Sequence, residues 1–166
     1  TFVPEKSWHN LKEKLFSTGN WKIISDFKIK PKESNLKRNS MEIKKFFSGK
    51  NHIEIIKELK KSKSKFAEDA FLKIKKVSPL SMACTVKLIN KLEKTNSIRK
   101  ALNLEYRFTF RASEFGDFLE GIRAQIIEKD RKPLWKHESS EKVSIDDVSY
   151  MLASLKDKEL NIEEML

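Results

Sequence analysis

The spacing of apolar residues constrains the fold of this chain most, because it favours helices through most of its length. Phe66, Ala70, Ile74 and Val77 recur at intervals of three and four residues, which places them on one face of a helix. No alternation typical of a strand lasts for more than four residues. Breaks are also rare, since the 166 residues include only four glycines and four prolines. The pattern predicts an all-α fold.

Helix starts are marked by residues that can bond the free amides of a first turn. Ser78 followed by Pro79 predicts a helix start. The serine oxygen can accept from a backbone amide of the first turn, and proline suits the first helical position because it has no N–H that would need a partner. Ser144 with Asp147 predicts a capping box for a helix over 145–155. Further starts are marked by Ser64, by Asn96 or Ser97, and by Ser113. We predict three successive helices, over 78–95, 97–112 and 114–129.

The first forty residues are less regular than the rest. Residues 4–16 carry apolar side chains at helical spacing behind Pro4, and Gly19 with Asn20 ends that segment. Residues 28–40 are rich in lysine, serine and asparagine, and we interpret them as a connector. The predicted division is a basic helical and linker region over 1–40, a helical domain over 41–155, and a helical tail over 156–166.

The positive charge is concentrated in the first half of the chain. Residues 1–76 contain 20 Lys and Arg against 9 Asp and Glu, which accounts for the whole net charge of +11. A basic region of this kind is typical of proteins that bind nucleic acid. However, lysine dominates over arginine, and the aromatic residues do not alternate with basic ones as stacking platforms do. A solvated lysine-rich surface is the favoured interpretation, and an RNA contact remains the alternative.

The chain shows none of the familiar motifs of catalytic or metal sites. Its single cysteine, Cys84, excludes an internal disulfide and a multi-cysteine metal site, and its apolar helical spacing favours a small core residue. His9, His52 and His137 are far apart in sequence and are interpreted as surface residues. A glycine-rich phosphate loop and a nucleophile elbow are absent, as is any run of 18 apolar residues. We therefore predict no catalytic residue, no metal and no covalently bound cofactor in this chain.

The segment from Asp117 to Lys136 resembles the C-terminal signature of the 3-hydroxyisobutyryl-CoA hydrolases, a branch of the enoyl-CoA hydratase/isomerase (crotonase) superfamily. The stretches VSPLS at 77–81 and LEYR at 104–107 agree with that family in order and spacing, and the resemblance covers residues 41–155. The signature residues are Asp117, Phe118, Glu120, Gly121, Ile122, Arg123, Ala124, Ile127, Lys129, Asp130, Pro133, Trp135 and Lys136.

The resemblance implies a fold and a function. It implies an all-α C-terminal helical domain without the N-terminal spiral core, which would supply the catalytic acids. The parent protein would be a mitochondrial thioesterase of valine catabolism with acyl-CoA as its substrate. This chain, which begins at Thr1, would be a piece of it and inactive alone. Its partner would be the N-terminal core, or a second copy of itself when isolated. An alternative is a family member of the mitochondrial ribosome, with residues 1–76 contacting RNA or protein.

The resemblance also implies roles for particular residues. Lys129, Arg131 and Lys132 are the candidates for contact with the CoA phosphates. Gly121 is interpreted as a place of close packing inside a continuous helix, because glycine there costs about 1 kcal/mol relative to alanine. The residues expected to have structural roles in the motif are Ser78, Pro79, Glu105, Arg107, Glu120, Gly121, Arg123 and Trp135.

Overall fold

The computed structural model describes residues 1–95 and 97–160, and within them all regular structure is helical. The α-helices are α1 (Trp8–Thr18), α2 (Asn35–Arg38), α3 (Ser40–Phe46), α4 (His52–Lys61), α5 (Lys65–Ile74), α6 (Pro79–Leu92), α7 (Ile98–Ala112), α8 (Phe118–Ile122) and α9 (Ile145–Met151). Short 3-10 turns cover Glu5–Ser7, Trp21–Phe27, Ser140–Lys142 and Lys156–Lys158, and a π-helical turn over Arg123–Ile127 follows α8. The chain divides into two compact units, residues 1–40 and the residues from 41 onwards.

The unit over residues 1–40 is shaped by local turns and caps. Its helical segments contain no buried residue. A 3-10 turn precedes α1, so α1 begins at Trp8 rather than at residue 4 as predicted. The helix ends at Gly19, whose φ of 61° is a left-handed conformation that glycine adopts without strain. Asn20 caps the next turn by accepting from the Lys22 amide at 3.1 Å.

The predicted connector over 28–40 contains one short helix. The side-chain oxygen of Ser34 accepts from the Lys37 amide at 3.1 Å and starts α2. The residues of this stretch are exposed, apart from the half-buried Asn39.

The second unit is built around two small cores. One lies between α6, α7 and α9 and includes the fully buried Leu80, Cys84 and Met151. The other lies between α3, α4 and α5 and includes Phe46 and Leu59. Helix α6 contributes apolar side chains to both cores, which explains why its apolar residues do not form one narrow stripe. The second unit therefore has two cores joined through α6.

The predicted helix starts at four serines are confirmed. Each serine oxygen accepts from an amide of the first turn that follows it, at 3.0–3.3 Å, and the serines are Ser64, Ser78, Ser97 and Ser144. The capping box of Ser144 and Asp147 is complete in both directions. The alternative cap at position 96 and the last six residues of the predicted tail lie outside the described residues. The helices predicted over 78–95 and 97–112 correspond to α6 and α7.

The prediction of one helix over 114–129 is wrong. Ser113 is the residue that ends α7, and a turn separates it from α8, which begins only at Phe118. The turn is tight, because a side chain at Gly116 would place its Cβ 2.9 Å from the Ala112 carbonyl oxygen. Helix α8 then changes to π-helical bonding after Ile122. The helix predicted over 145–155 is also shorter, since α9 ends at Met151.

In the described ranges, 1–95 and 97–160, no helix is long and apolar enough to cross a membrane. The same ranges contain no group of three or more His, Cys, Asp or Glu side chains arranged to hold a metal ion.

Candidate functional site

Asp117 is the buried hub of the signature segment. It lies immediately before α8 and is only 6% exposed, yet its side chain does not cap that helix. One carboxylate oxygen accepts from the Ser78 hydroxyl at 2.5 Å, and the other accepts from the backbone amide of Lys136 at 2.7 Å. Because Ser78 also caps α6, this carboxylate joins the starts of α6 and α8 to the chain after Trp135.

Arg123 is a second hub, on the first turn after α8. Its guanidinium donates to both oxygens of Glu120, at 2.9 and 2.7 Å, and to Asp130 at 2.7 Å. It also pairs with Glu128. An arginine suits this place because its planar fork of donors can bind several carboxylates at once.

The backbone of residues 128–136 is held to the same two hubs. A carboxylate oxygen of Glu120 accepts from the Leu134 amide at 2.6 Å, and Arg123 donates to the Lys132 carbonyl at 3.2 Å. The Arg131 amide donates to the carbonyl of the fully buried Ala124 at 3.0 Å. We call the structure formed by residues 117–136 together with Ser78 the clasp.

Pairing with Arg123 shifts the acidity of the clasp carboxylates. The hydrogen bond from Arg123, with the backbone amide of Leu134 as the next contribution, lowers the pKa of Glu120 to about 2. The pKa of Asp130 is also lowered, first by Arg123 and then by the backbone amide of Lys132. Both groups are therefore carboxylates at neutral pH, held as acceptors and not as proton donors.

Gly121 lies under the indole ring of Trp135. A Cβ atom built at this glycine would be 3.7 Å from the nearest ring carbon, an ordinary van der Waals distance. The φ of Gly121 is not positive, so the residue has an ordinary helical backbone. The indole ring leaves room for a Cβ atom at this position, so the predicted role of Gly121 in close packing stays a prediction. Beside it is an apolar groove of about 500 Å³ whose lining includes Phe108, Phe118, Ile122, Ile126 and Trp135.

The three candidate phosphate-binding residues lie together on the tight turn of the clasp. Lys129 and Arg131 have positive φ values of 56° and 55°, and both side chains are exposed. Lys132 is exposed as well, and none of the three forms an ion pair within residues 1–95 and 97–160. The carboxylates beside them in the sequence, those of Glu128 and Asp130, pair with Arg123 instead.

Arg107 and Glu105, both expected to have structural roles, differ in whether their side chains have a partner. Arg107 binds Glu159 through its guanidinium, with a shortest distance of 2.8 Å, and so fixes the segment after α9 to α7. Glu105 is exposed, and its carboxylate has no hydrogen bond or ion pair in the described part of the chain.

The sequence interpretation missed the roles of two histidines. His52 is buried, and its Nε2 donates to the Ser140 carbonyl at 3.0 Å. His137 is mostly buried and lies 3.3 Å from Asp147, the acid of the capping box on α9. Because one side chain is buried and the other mostly buried, the predicted surface location is wrong for both. The sequence did not show it because their partners are 88 and 10 residues away. Burial raises the pKa of the Cys84 thiol to about 12, in keeping with the predicted core role.

Comparison with known proteins relates this architecture to a family. The sequence profile of the enoyl-CoA hydratase/isomerase family matches residues 1–152. The chain belongs to the enoyl-CoA hydratase/isomerase family. Mitochondrial 3-hydroxyisobutyryl-CoA hydrolases are among the similar curated proteins: the one from Xenopus laevis is 34% identical over 127 residues, and the one from Homo sapiens 30% over 125. These alignments cover 76% and 75% of this chain and 33% and 32% of the relatives. The chain thus spans about a third of their length.

Solved structures of other proteins have a similar fold. A crystal structure of an enoyl-CoA hydratase from Rhodobacter sphaeroides superposes with a TM-score of 0.84 at 37% identity, covering 96% of this chain and 46% of that one. A carnitinyl-CoA dehydratase from Mycobacterium thermoresistibile superposes with a TM-score of 0.87 at 25% identity, covering 97% and 46%.

These matches correct the predicted fold class. An all-α C-terminal domain without the core was expected, with the resemblance limited to residues 41–155. The family profile instead begins at residue 1, and the solved crotonase-type structures match nearly the whole chain, including residues 1–40. The error has a physical cause: apolar spacing reveals helices, but it does not reveal whether those helices form a separate domain or part of a larger fold.

Proposed function

We propose that the whole protein hydrolyses the thioester of 3-hydroxyisobutyryl-CoA in mitochondria, a step of valine breakdown. The curated relatives carry the corresponding name and are 30–34% identical to this chain. The observation that carries the proposal is the clasp, in which the charged signature residues at positions 117, 120, 123 and 130 all have internal partners. These internal hydrogen bonds give the signature residues a common structural role, which supports the resemblance of this segment to the hydrolases.

Within that function, we assign this chain a part in substrate binding. Asp117 and Glu120 are held as hydrogen-bond acceptors by other groups of the clasp. The cations free to act are Lys129, Arg131 and Lys132 on the clasp turn, and ammonium and guanidinium groups suit the phosphates of CoA. We accordingly expect the isolated 166-residue chain to release no CoA from the substrate. Turnover by that chain, with mass spectrometry excluding longer forms, would show that it contains the active site.

The reaction is tested on the whole protein. Its solved relatives are named as a hydratase and a dehydratase, so addition or loss of water is the competing reaction. We expect release of free CoA thiol from 3-hydroxyisobutyryl-CoA, and no loss of the conjugated double bond of an enoyl-CoA. Hydration of the enoyl-CoA without thiol release would overturn the proposed hydrolysis.

The phosphate contact is tested by a double variant, Lys129→Ala with Lys132→Ala. Loss of two phosphate contacts is expected to raise KM for the CoA ester about tenfold, with kcat unchanged. The same variant should leave KM unchanged for the pantetheine thioester, which lacks the adenosine phosphates. Lys142→Ala, at an exposed lysine outside the clasp, is the matched control. An equal KM change with both substrates would assign the lysines a structural role.

The ribosomal alternative through residues 1–76 stays a prediction. It predicts that the affinity for RNA falls steeply as the salt concentration rises, because protein binding releases the cations that are condensed on the RNA phosphates.

A further inference from the structure

A second groove lies on the other side of α6, away from the clasp residues. Its volume is about 600 Å³, within the range of roughly 300–1,000 Å³ typical of small-molecule sites. The groove is formed by the start of α4, the middle of α6 and the start of α9, all within the second unit. Its lining residues include Ala83, Val143 and Val148 as apolar residues of the adjoining core.

Two isoleucines of this groove are left exposed to solvent. Ile145, the first residue of α9, is 84% exposed, and Ile53 on α4 is 36% exposed. Both line the groove together with the core residues, so an apolar molecule lying in it would cover side chains that otherwise face water. Removing such surface from water is favourable by roughly 25 cal/mol per Å².

The charged residues of the same groove are three lysines and one glutamate. Lys50, Lys57 and Lys87 line it, and none of them forms an ion pair in residues 1–95 and 97–160. The single carboxylate of the lining, Glu54, accepts from the Lys50 amide at 2.8 Å and from the Asn51 side chain at 3.0 Å. The Glu54 carboxylate is therefore held by hydrogen bonds just before and at the start of α4. The ammonium groups of the three lysines remain available to an anion.

We propose that this groove binds a medium-chain fatty carboxylate, with its chain along Ile53, Ile145 and Val148 and its head group beside the lysines. The combination of an apolar floor with unpaired cations at the edge favours an amphiphile with one anionic end. A neutral lipid would leave the lysines unused, and a small inorganic anion would leave the isoleucines uncovered. The inference is independent of the proposed thioester hydrolysis, because the groove shares no residue with the clasp.

Binding of decanoate to the 166-residue chain tests the proposal, with displacement of a dansylated fatty acid and calorimetry as readouts. We expect saturable binding of one decanoate per chain, and binding of decanol at least about tenfold weaker, since the alcohol lacks the charge-assisted contacts. Equal affinity for decanol and decanoate would show unspecific apolar adsorption and overturn the proposal, as would the absence of saturable binding.

Variants locate the site. Lys57→Ala with Lys87→Ala should weaken decanoate binding about tenfold. Lys73→Ala with Lys76→Ala, which removes the same charge at exposed lysines outside both the groove and the clasp, should not. Ile145→Asp should abolish binding by placing a carboxylate in the groove, and its 84% exposure means that the fold tolerates the change. Circular dichroism confirms folding of each variant. If decanoate binds all of these variants equally well, the groove is not the site.

Discussion

Gly121 lies against the indole ring of Trp135, from another part of the chain. The ring lies 3.7 Å from where a Cβ atom would be, so a methyl group fits in van der Waals contact and a longer side chain has to pass the ring. We expect Gly121→Ala to change the free energy of unfolding little, or to raise it by up to about 1 kcal/mol through helix propensity. Gly121→Leu should lower it by roughly 1–3 kcal/mol through overpacking. Urea denaturation measures both, and an alanine variant that loses more than about 2 kcal/mol would contradict the helical conformation.

Asp117 is a residue of the clasp at which a substitution should be costly. Asp117→Ala leaves the Ser78 hydroxyl and the Lys136 amide without their acceptor, and each unsatisfied buried group costs about 1–3 kcal/mol. We expect a loss of roughly 2–4 kcal/mol in the free energy of unfolding. Asp146→Ala removes an exposed aspartate of α9 and is the matched control, with a change of about 0.5 kcal/mol or less. Equal effects of the two variants would mean that Asp117 does not hold the clasp.

Among the elements, the clasp should make the stability of the chain sensitive to acid. The folded-state pKa of Glu120 is about 2 against an ordinary 4.5, and that of Asp130 is also lowered. A carboxyl with a lowered folded-state pKa stabilises the fold fully above its ordinary pKa, and this stabilisation is lost as the pH falls through the folded value. The urea midpoint should therefore fall between about pH 4.5 and pH 2.

The contribution of the clasp can be isolated by two variants. In Glu120→Gln the acid dependence between about pH 4.5 and pH 2 should be smaller, because the group that titrates is gone. Glu58→Gln removes the partner of Lys61 in a well-exposed surface pair, and should leave the dependence nearly unchanged because water and salt screen such pairs. An identical pH profile for Glu120→Gln and the unmodified chain would contradict the role of the clasp.

At the scale of the whole molecule, large apolar side chains are exposed in both units. Phe16, Trp21 and Met41 are 90%, 71% and 84% exposed, and Leu134 is 82% exposed. Exposed apolar surface of this kind favours association. We expect the isolated 166-residue chain to self-associate at high concentration and to bind a dye that reports apolar surface. Light scattering measures the mass, and a strictly monomeric chain with little dye binding would contradict the expectation.

Helix starts could be predicted from the sequence because their interactions are local. Ser64, Ser78, Ser97 and Ser144 each bond an amide three residues ahead, so the pattern is contained within one turn. The pair of Arg123 and Glu120 is equally local. The signature around Gly121 also allowed the family to be recognised, and the family profile confirms it.

What only the tertiary structure decided is which distant groups meet. Asp117 binds Ser78 across 39 residues and the Lys136 amide across 19, so it leaves its own helix uncapped. His52 is buried because Ser140 accepts from it, 88 residues away. No spacing rule encodes such contacts, since they depend on how the chain folds back on itself. For the same reason, the sequence by itself determined that the chain is helical, whereas only comparison with the family profile and with solved structures showed that residues 1–40 share their fold.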